Sequence, residues 1–122
     1  MTSQSDDYTY YDGYEGEPEI IIRFDGIKAL HLWDGYFDDI YCTPPLDGKG
    51  WKGFTRDYHQ QEGIFASGAG VLMIDPTVYL EDLLQYRDKQ FRFEETKAVF
   101  NLLVSLFKEA IKQHADISAE LS

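Results

Sequence analysis

Cysteine is nearly absent from this 122-residue chain, with Cys42 the single one. An internal disulfide is therefore excluded, and with it a small fold stapled by disulfides. Positive charge is scarce as well: 11 Lys and Arg stand against 22 Asp and Glu, a formal charge of −11. A field of that sign repels phosphate backbones and anionic lipid, which argues against direct binding to nucleic acid or to a membrane surface. No uncharged apolar run approaches the roughly 18 residues a spanning helix needs. The opening MTSQSDDYTYYDG has neither a basic start nor an apolar segment, so it does not read as a secretion signal and a cytoplasmic location is expected. Metal-ligand spacing is missing too. His31, His59 and His114 stand far apart, and Cys42 has no Cys or His near it in sequence. Asp34-Gly-Tyr-Phe-Asp38-Asp39 lacks the alternating oxygen ligands, glycine and distal Glu of a calcium loop. Neither a metal nor a cofactor is expected.

What the chain does have is apolar and aromatic bulk. Hydrophobic residues make up 43% and aromatics 16%, enough for one core in one domain. The acidity is uneven. Residues 1–47 carry 11 acidic residues against Arg23 and Lys28 alone, a net of −9, whereas residues 48–122 carry 11 acids and 9 bases. A directed acidic face fits this asymmetry better than an even coat.

Residues 1–18 are poor in aliphatics and read as an acidic mobile arm, with residues 19–122 as the single folded domain. Tyr8, Tyr10, Tyr11 and Tyr14 of the arm would offer contact area at low entropy cost. Ile20–Phe24, Asp25-Gly26 and Ile27–Trp33 read as a hairpin with a two-residue turn, pairing Phe24 with Ile27, Ile22 with Ala29 and Ile20 with His31. This register sets Arg23 against Lys28, an unfavourable pair that a longer turn would relieve. Asp34-Gly35 then predicts a second turn into a strand over Tyr36–Tyr41, with His31 facing Asp38. Residues 42–63 read as a long loop holding Pro44, Pro45, Lys49, Lys52 and Arg56. Strands are expected at Ile64-Phe65 and Val71–Ile74, on either side of Gly68-Ala-Gly70. Asp75-Pro76 begins a helix, and apolar spacing over Val99–Ile111 predicts another from about Glu94 to about His114. The expected fold is α+β: an antiparallel β-meander of three or more strands with two C-terminal helices packed on one face.

The chain offers little for catalysis. Gly68-Ala-Gly70 precedes a strand, whereas phosphate loops place their glycines before a helix. The pair His31 and Asp38 is the one arrangement suited to acid–base chemistry, and no nucleophile is placed beside it. Cys42 reads as a small packed residue.

An acidic domain rich in Tyr, Trp and Asp suits the capture of a basic protein, with charge steering the encounter and aromatics anchoring it. The candidate partner-binding residues are Trp33, Asp34, Tyr36, Phe37, Asp38 and Asp39, together with Glu15 and Glu17 from the arm. The acidic N-terminal half, the segment IIIRFDGIKALHLWDGYFDDIY and the run GVLMIDPTVYLEDLLQY before an amphipathic helix carry a resemblance. Across residues 18–115 the layout resembles the small immunity proteins of bacterial contact-dependent growth inhibition and related toxin systems. That resemblance implies a non-catalytic inhibitor of a cognate toxin C-terminal domain, a basic nuclease acting on RNA or DNA, and it transfers no site residue. Three other readings stay open. They are an acidic mimic of nucleic acid, a regulatory subunit covering the apolar second face of the meander, and a small enzyme using His31 and Asp38.

Overall fold

A computed structural model describes residues 5–25, 28–44, 51–66, 68 and 70–122. Ile27 of the hairpin, Pro45, Asp47 and Lys49 of the loop, and Ala69 of the glycine turn lie outside the described residues. The chain is α+β, with strands β1 (Ser5–Tyr10), β2 (Glu19–Phe24), β3 (Lys28–Trp33), β4 (Leu72–Ile74) and β5 (Ile117–Leu121). Helices are α1 (Asp34–Tyr41), α2 (Gly53–Gln60), α3 (Pro76–Leu84) and α4 (Glu94–Gln113), with a 3-10 turn at Gly63–Phe65. The strands form one sheet in the order β1-β3-β2-β5-β4. β1 runs parallel to β3, and the other pairings are antiparallel.

This arrangement corrects the expected antiparallel meander with two C-terminal helices. The sheet is mixed and five-stranded, and there are four helices. Residues 34–41, expected as the third strand, are helix α1. Tyr36, Phe37, Ile40 and Tyr41 fall at helical spacing and are all buried, so the helix hides a face that a strand would have split between two sides. The residues expected to form an arm supply β1 and a hydrogen-bonded turn. The presumed loop contains α2, and Ile64-Phe65 lies in the 3-10 turn, not in a strand.

The β2–β3 register also differs by one residue. Phe24 pairs with Lys28, Ile22 with Leu30 and Ile20 with Leu32. Asp25 adopts φ +52°, and the longer connection sets Arg23 against Ala29, which removes the Arg23–Lys28 clash. A one-residue slip exchanges faces along the strand. Ile20, Ile22, Leu30, Leu32, Ile117 and Ala119 therefore point into the core, where they meet Phe37, Tyr41, Leu83, Leu103 and Phe107 from the helices. Full burial of each Ile or Leu side chain among these contributes roughly 1.5–3 kcal/mol. Glu19, Ile21, Arg23, His31, Ser118 and Glu120 line the opposite face, on which Arg23 pairs with Glu120.

The helices follow local signals. Asp75 caps α3 by accepting from the Thr77 N–H at 3.0 Å, with Pro76 as the first helical residue. Glu94 and Glu95 open α4 and Lys112 closes it, each charge complementing the dipole. α4 ends at His114, whose backbone is left-handed.

Candidate functional site

The chain between β1 and β2 folds back on itself. The Asp12 N–H donates to the Tyr8 carbonyl at 2.8 Å, and the Glu17 N–H to the Tyr14 carbonyl at 2.9 Å. The Tyr11 hydroxyl closes the turn on the Glu17 carbonyl at 2.6 Å. Tyr14 then stacks on Trp33, with ring centroids 4.1 Å apart and planes within 5°. The indole in turn lies over the first turn of α1: a Cβ on Gly35 would come within 2.3 Å of it. Asp34-Gly35 is thus a glycine kept bare beneath a tryptophan, and not a hairpin turn.

The turn that carries Tyr14 also holds Asp12, Glu15 and Glu17, and Asp34 directly follows Trp33. None of these four has a cationic partner among the described residues. Burial holds the Asp34 carboxyl above its usual range, and nearby Glu17 and Asp38 add to the shift. Glu15 is held below its range by backbone N–H groups of the turn. Tyr8, Thr9, Tyr11, Asp12 and Glu15 line a groove of about 380 Å³. The region joins exposed carboxylates to half-exposed aromatic rings on a hydrogen-bonded frame.

The expected binding residues divide between surface and interior. Glu15, Glu17, Asp34 and Trp33 meet at this surface. Tyr36 (4% exposed) and Phe37 (1%) belong to the core, so they support the surface from below and cannot anchor a partner. Asp39 is 1% exposed and does structural work. Its carboxylate accepts the Arg92 and Phe93 N–H groups at 2.9 and 3.0 Å and the Thr96 hydroxyl at 2.7 Å, closing the start of α4. Burial alone would raise its pKa, but these hydrogen bonds outweigh that and hold it below the usual carboxylate range. Lys89 reciprocates by donating to the Asp39 and Ile40 carbonyls near the end of α1. Asp38 lies at the margin, accepting from the Tyr58 hydroxyl and from Arg92 at 3.0 Å.

No family model, curated protein or solved structure matches this chain.

His31 does not face Asp38. Its Nδ1 lies 3.0 Å from Glu19 and its Nε2 3.3 Å from Asp6, while Tyr8 stacks on the ring at 4.0 Å. Glu19 is its diagonal neighbour across the corrected β2–β3 register, and Asp6 comes from β1. The imidazole thereby ties three strands together. The two carboxylates approach opposite ring nitrogens and do not converge on one point, and no cluster suited to a metal ion occurs among the described residues.

A second polar cluster is sealed between α2 and α3. Asp57 accepts the Tyr79 hydroxyl at 2.7 Å, and Asp82 accepts the Thr55 N–H and hydroxyl at 3.0 and 2.8 Å. The Tyr86 hydroxyl completes this chain at Thr55, 2.7 Å away. Burial raises Asp82 above the carboxylate range and pushes Tyr86 up to about 12. Sequence reasoning missed this cluster, because Thr55 and Asp57 lie in a stretch read as a loop and Asp82 in a predicted helix, and their burial together emerges only from the packing of α2 against α3. No described helix is long and apolar enough to cross a membrane.

Proposed function

We propose that this chain is an immunity-type inhibitor, acting in the cytoplasm, that binds and neutralises the basic nuclease domain of a cognate toxin. The observation that supports this reading is that Asp12, Glu15, Glu17 and Asp34, carried by the segments that bear the Tyr14–Trp33 stack, have no cationic partner among the described residues. Arg23, Lys52, Arg56 and Arg92 are engaged by other acidic partners, so none of these cations offsets the four carboxylates. A nuclease site built to hold phosphates presents Lys and Arg, which carboxylates attract and aromatic faces accept through cation–π contact. The stacked rings and the turn's internal hydrogen bonds fix the surface before binding, which reduces the entropy lost on association. Binding, not turnover, is the proposed role.

The test is co-expression with the toxin encoded beside this chain's own gene. The native chain restores growth, and Glu15→Lys/Glu17→Lys/Asp34→Lys loses that rescue while remaining folded. Rescue that survives the triple change, with unchanged salt dependence of binding, overturns the reading.

A further inference from the structure

His31 lies on the sheet face opposite the core, 6% exposed, with a carboxylate at each ring nitrogen. A neutral imidazole carries one N–H and one lone pair, so it donates to only one of the two. The other carboxylate then meets a lone pair in a site largely closed to water. The imidazolium, with an N–H at each nitrogen, satisfies Glu19 and Asp6 together. The ionisable groups facing the ring agree. Tyr8 of β1 stacks on it and gains from a positive charge there. Asp7, also of β1, is held below its usual range chiefly by the Thr9 hydroxyl and N–H, with Lys28 and the His31 ring contributing less. On β2, Ile21 sits directly across, and Arg23, the next residue outward, is held by Glu120 of β5.

The two contacts are unequal. Glu19, 3.0 Å away and 17% exposed, belongs to β2, which is paired on both sides. Asp6, 3.3 Å away and 41% exposed, belongs to β1, which pairs with β3 alone and breaks register between Asp7 and Tyr10. A ring with a single proton keeps the closer, drier contact and gives up the other. We propose that His31 is a proton-operated latch on β1: the doubly protonated ring holds this edge strand through Asp6 and Tyr8, and loss of one proton lets the strand leave β3. Once β1 has left, water reaches Nε2 and solvates Asp6, so the neutral state is hydrogen-bonded as well. Two arrangements, each complete and one proton apart, make a switch. The docked form is favoured at low pH and is lost as pH rises through the titration of the ring. Strands β2, β3, β4 and β5 stay paired in both forms. The groove lined by Tyr8, Thr9, Tyr11, Asp12 and Glu15 is complete only with β1 docked.

NMR of the full chain from about pH 5 to about pH 9 tests this. The backbone signals of Asp7 and Thr9 change in step with the ring carbons of His31 and lose their heteronuclear NOE above that transition. Those of Ile22 and Ala119 stay ordered throughout. In Asp6→Asn the side-chain amide both donates and accepts, so it suits either form of the ring. β1 then stays docked across the range and its pH dependence disappears. His59 and His114 remain in that variant, so a change caused by either of them persists there. His31→Gln leaves β1 loose at every pH, and Asp6→Asn, at an exposed position, carries the test if His31→Gln misfolds. β1 signals that ignore the titration of His31, or that follow it equally in Asp6→Asn, overturn the proposal. So does a folded His31→Gln chain with β1 still docked.

Discussion

Asp34 and Asp39 belong to the same eight-residue helix, yet the fold uses them in opposite ways. Asp39 is buried and collects two backbone N–H groups and a hydroxyl at the start of α4. Asp34 is half-buried without a cationic partner among the described residues, pushed toward its neutral form by burial, Glu17 and Asp38. The contrast extends through the molecule. Asp39, Asp57 and Asp82 are interior acids matched to donors, whereas Asp12, Glu15 and Glu17 are exposed acids without a cationic partner among the described residues. Net charge counts the two sets alike. The second set, being exposed, can act on a partner, and the first cannot.

The largest expected effect of separating them is at Asp39. Asp39→Ala strands three donors at the mouth of α4 and costs on the order of 3 kcal/mol in urea unfolding. Asp39→Asn keeps part of the hydrogen bonding and costs less. A loss below about 1 kcal/mol for the alanine change would erase the distinction.

Next comes the outer set. Glu15→Lys/Glu17→Lys/Asp34→Lys slows association with the toxin domain by about 10- to 100-fold at low salt, read by stopped-flow fluorescence. The same protein unfolds at nearly the native urea concentration. A variant that instead unfolds readily would place these residues with the structural set.

The sealed cluster sharpens the comparison further. Tyr79→Phe removes the donor to Asp57 and costs about 1–2 kcal/mol. The Tyr41 hydroxyl is buried without a hydrogen-bond partner among the described residues. Tyr41→Phe removes only an unmet polar group and is neutral or stabilising in the same unfolding assay.

The smallest effect concerns pH. Asp34→Asn relieves a disfavoured charge and raises stability near neutral pH by a few tenths of a kcal/mol, about the size expected at a surface position. A raised carboxyl favours folding at low pH and loses that contribution as pH rises through its folded value. The advantage of Asp34→Asn therefore shrinks on acidification, as the native carboxyl takes up its own proton. Asp39 has the opposite sign: its depressed pKa contributes stability above the unfolded carboxylate range, and this is lost as pH falls through the folded value. Melting curves of the native chain, Asp34→Asn and Asp39→Asn across the acid range separate the two signs.

Much of the secondary structure was legible because its signals are local. Asp75-Pro76 marks a helix start through capping and a fixed φ, and the apolar spacing of Val99–Ile111 gives α4 directly. α1 was misread because Asp-Gly is a strong turn signal. The competing pattern, Tyr36-Phe37 with Ile40-Tyr41, is only two repeats long. Gly35 is needed by the indole of Trp33, a contact that spacing alone does not reveal. β1 rests on parallel pairing with β3 through His31 and Asp6, and no local residue announces that. The acidic surface was legible as a charge excess, and its residues only in part. Glu15, Glu17, Asp34 and Trp33 come together, while Tyr36, Phe37 and Asp39 are drawn inward because α1 turns them toward the core.

The position of β5 has a consequence for synthesis. This strand lies between β2 and β4, inside the sheet, and it carries Glu120, which reaches Arg23 across 97 positions of chain. As the polypeptide leaves the ribosome, β2 and β3 can meet early, but β2 keeps one bare flank until residues 117–121 emerge. Ile20 and Ile22 wait throughout that interval on a strand without its second neighbour. The long closure makes a slow final folding step.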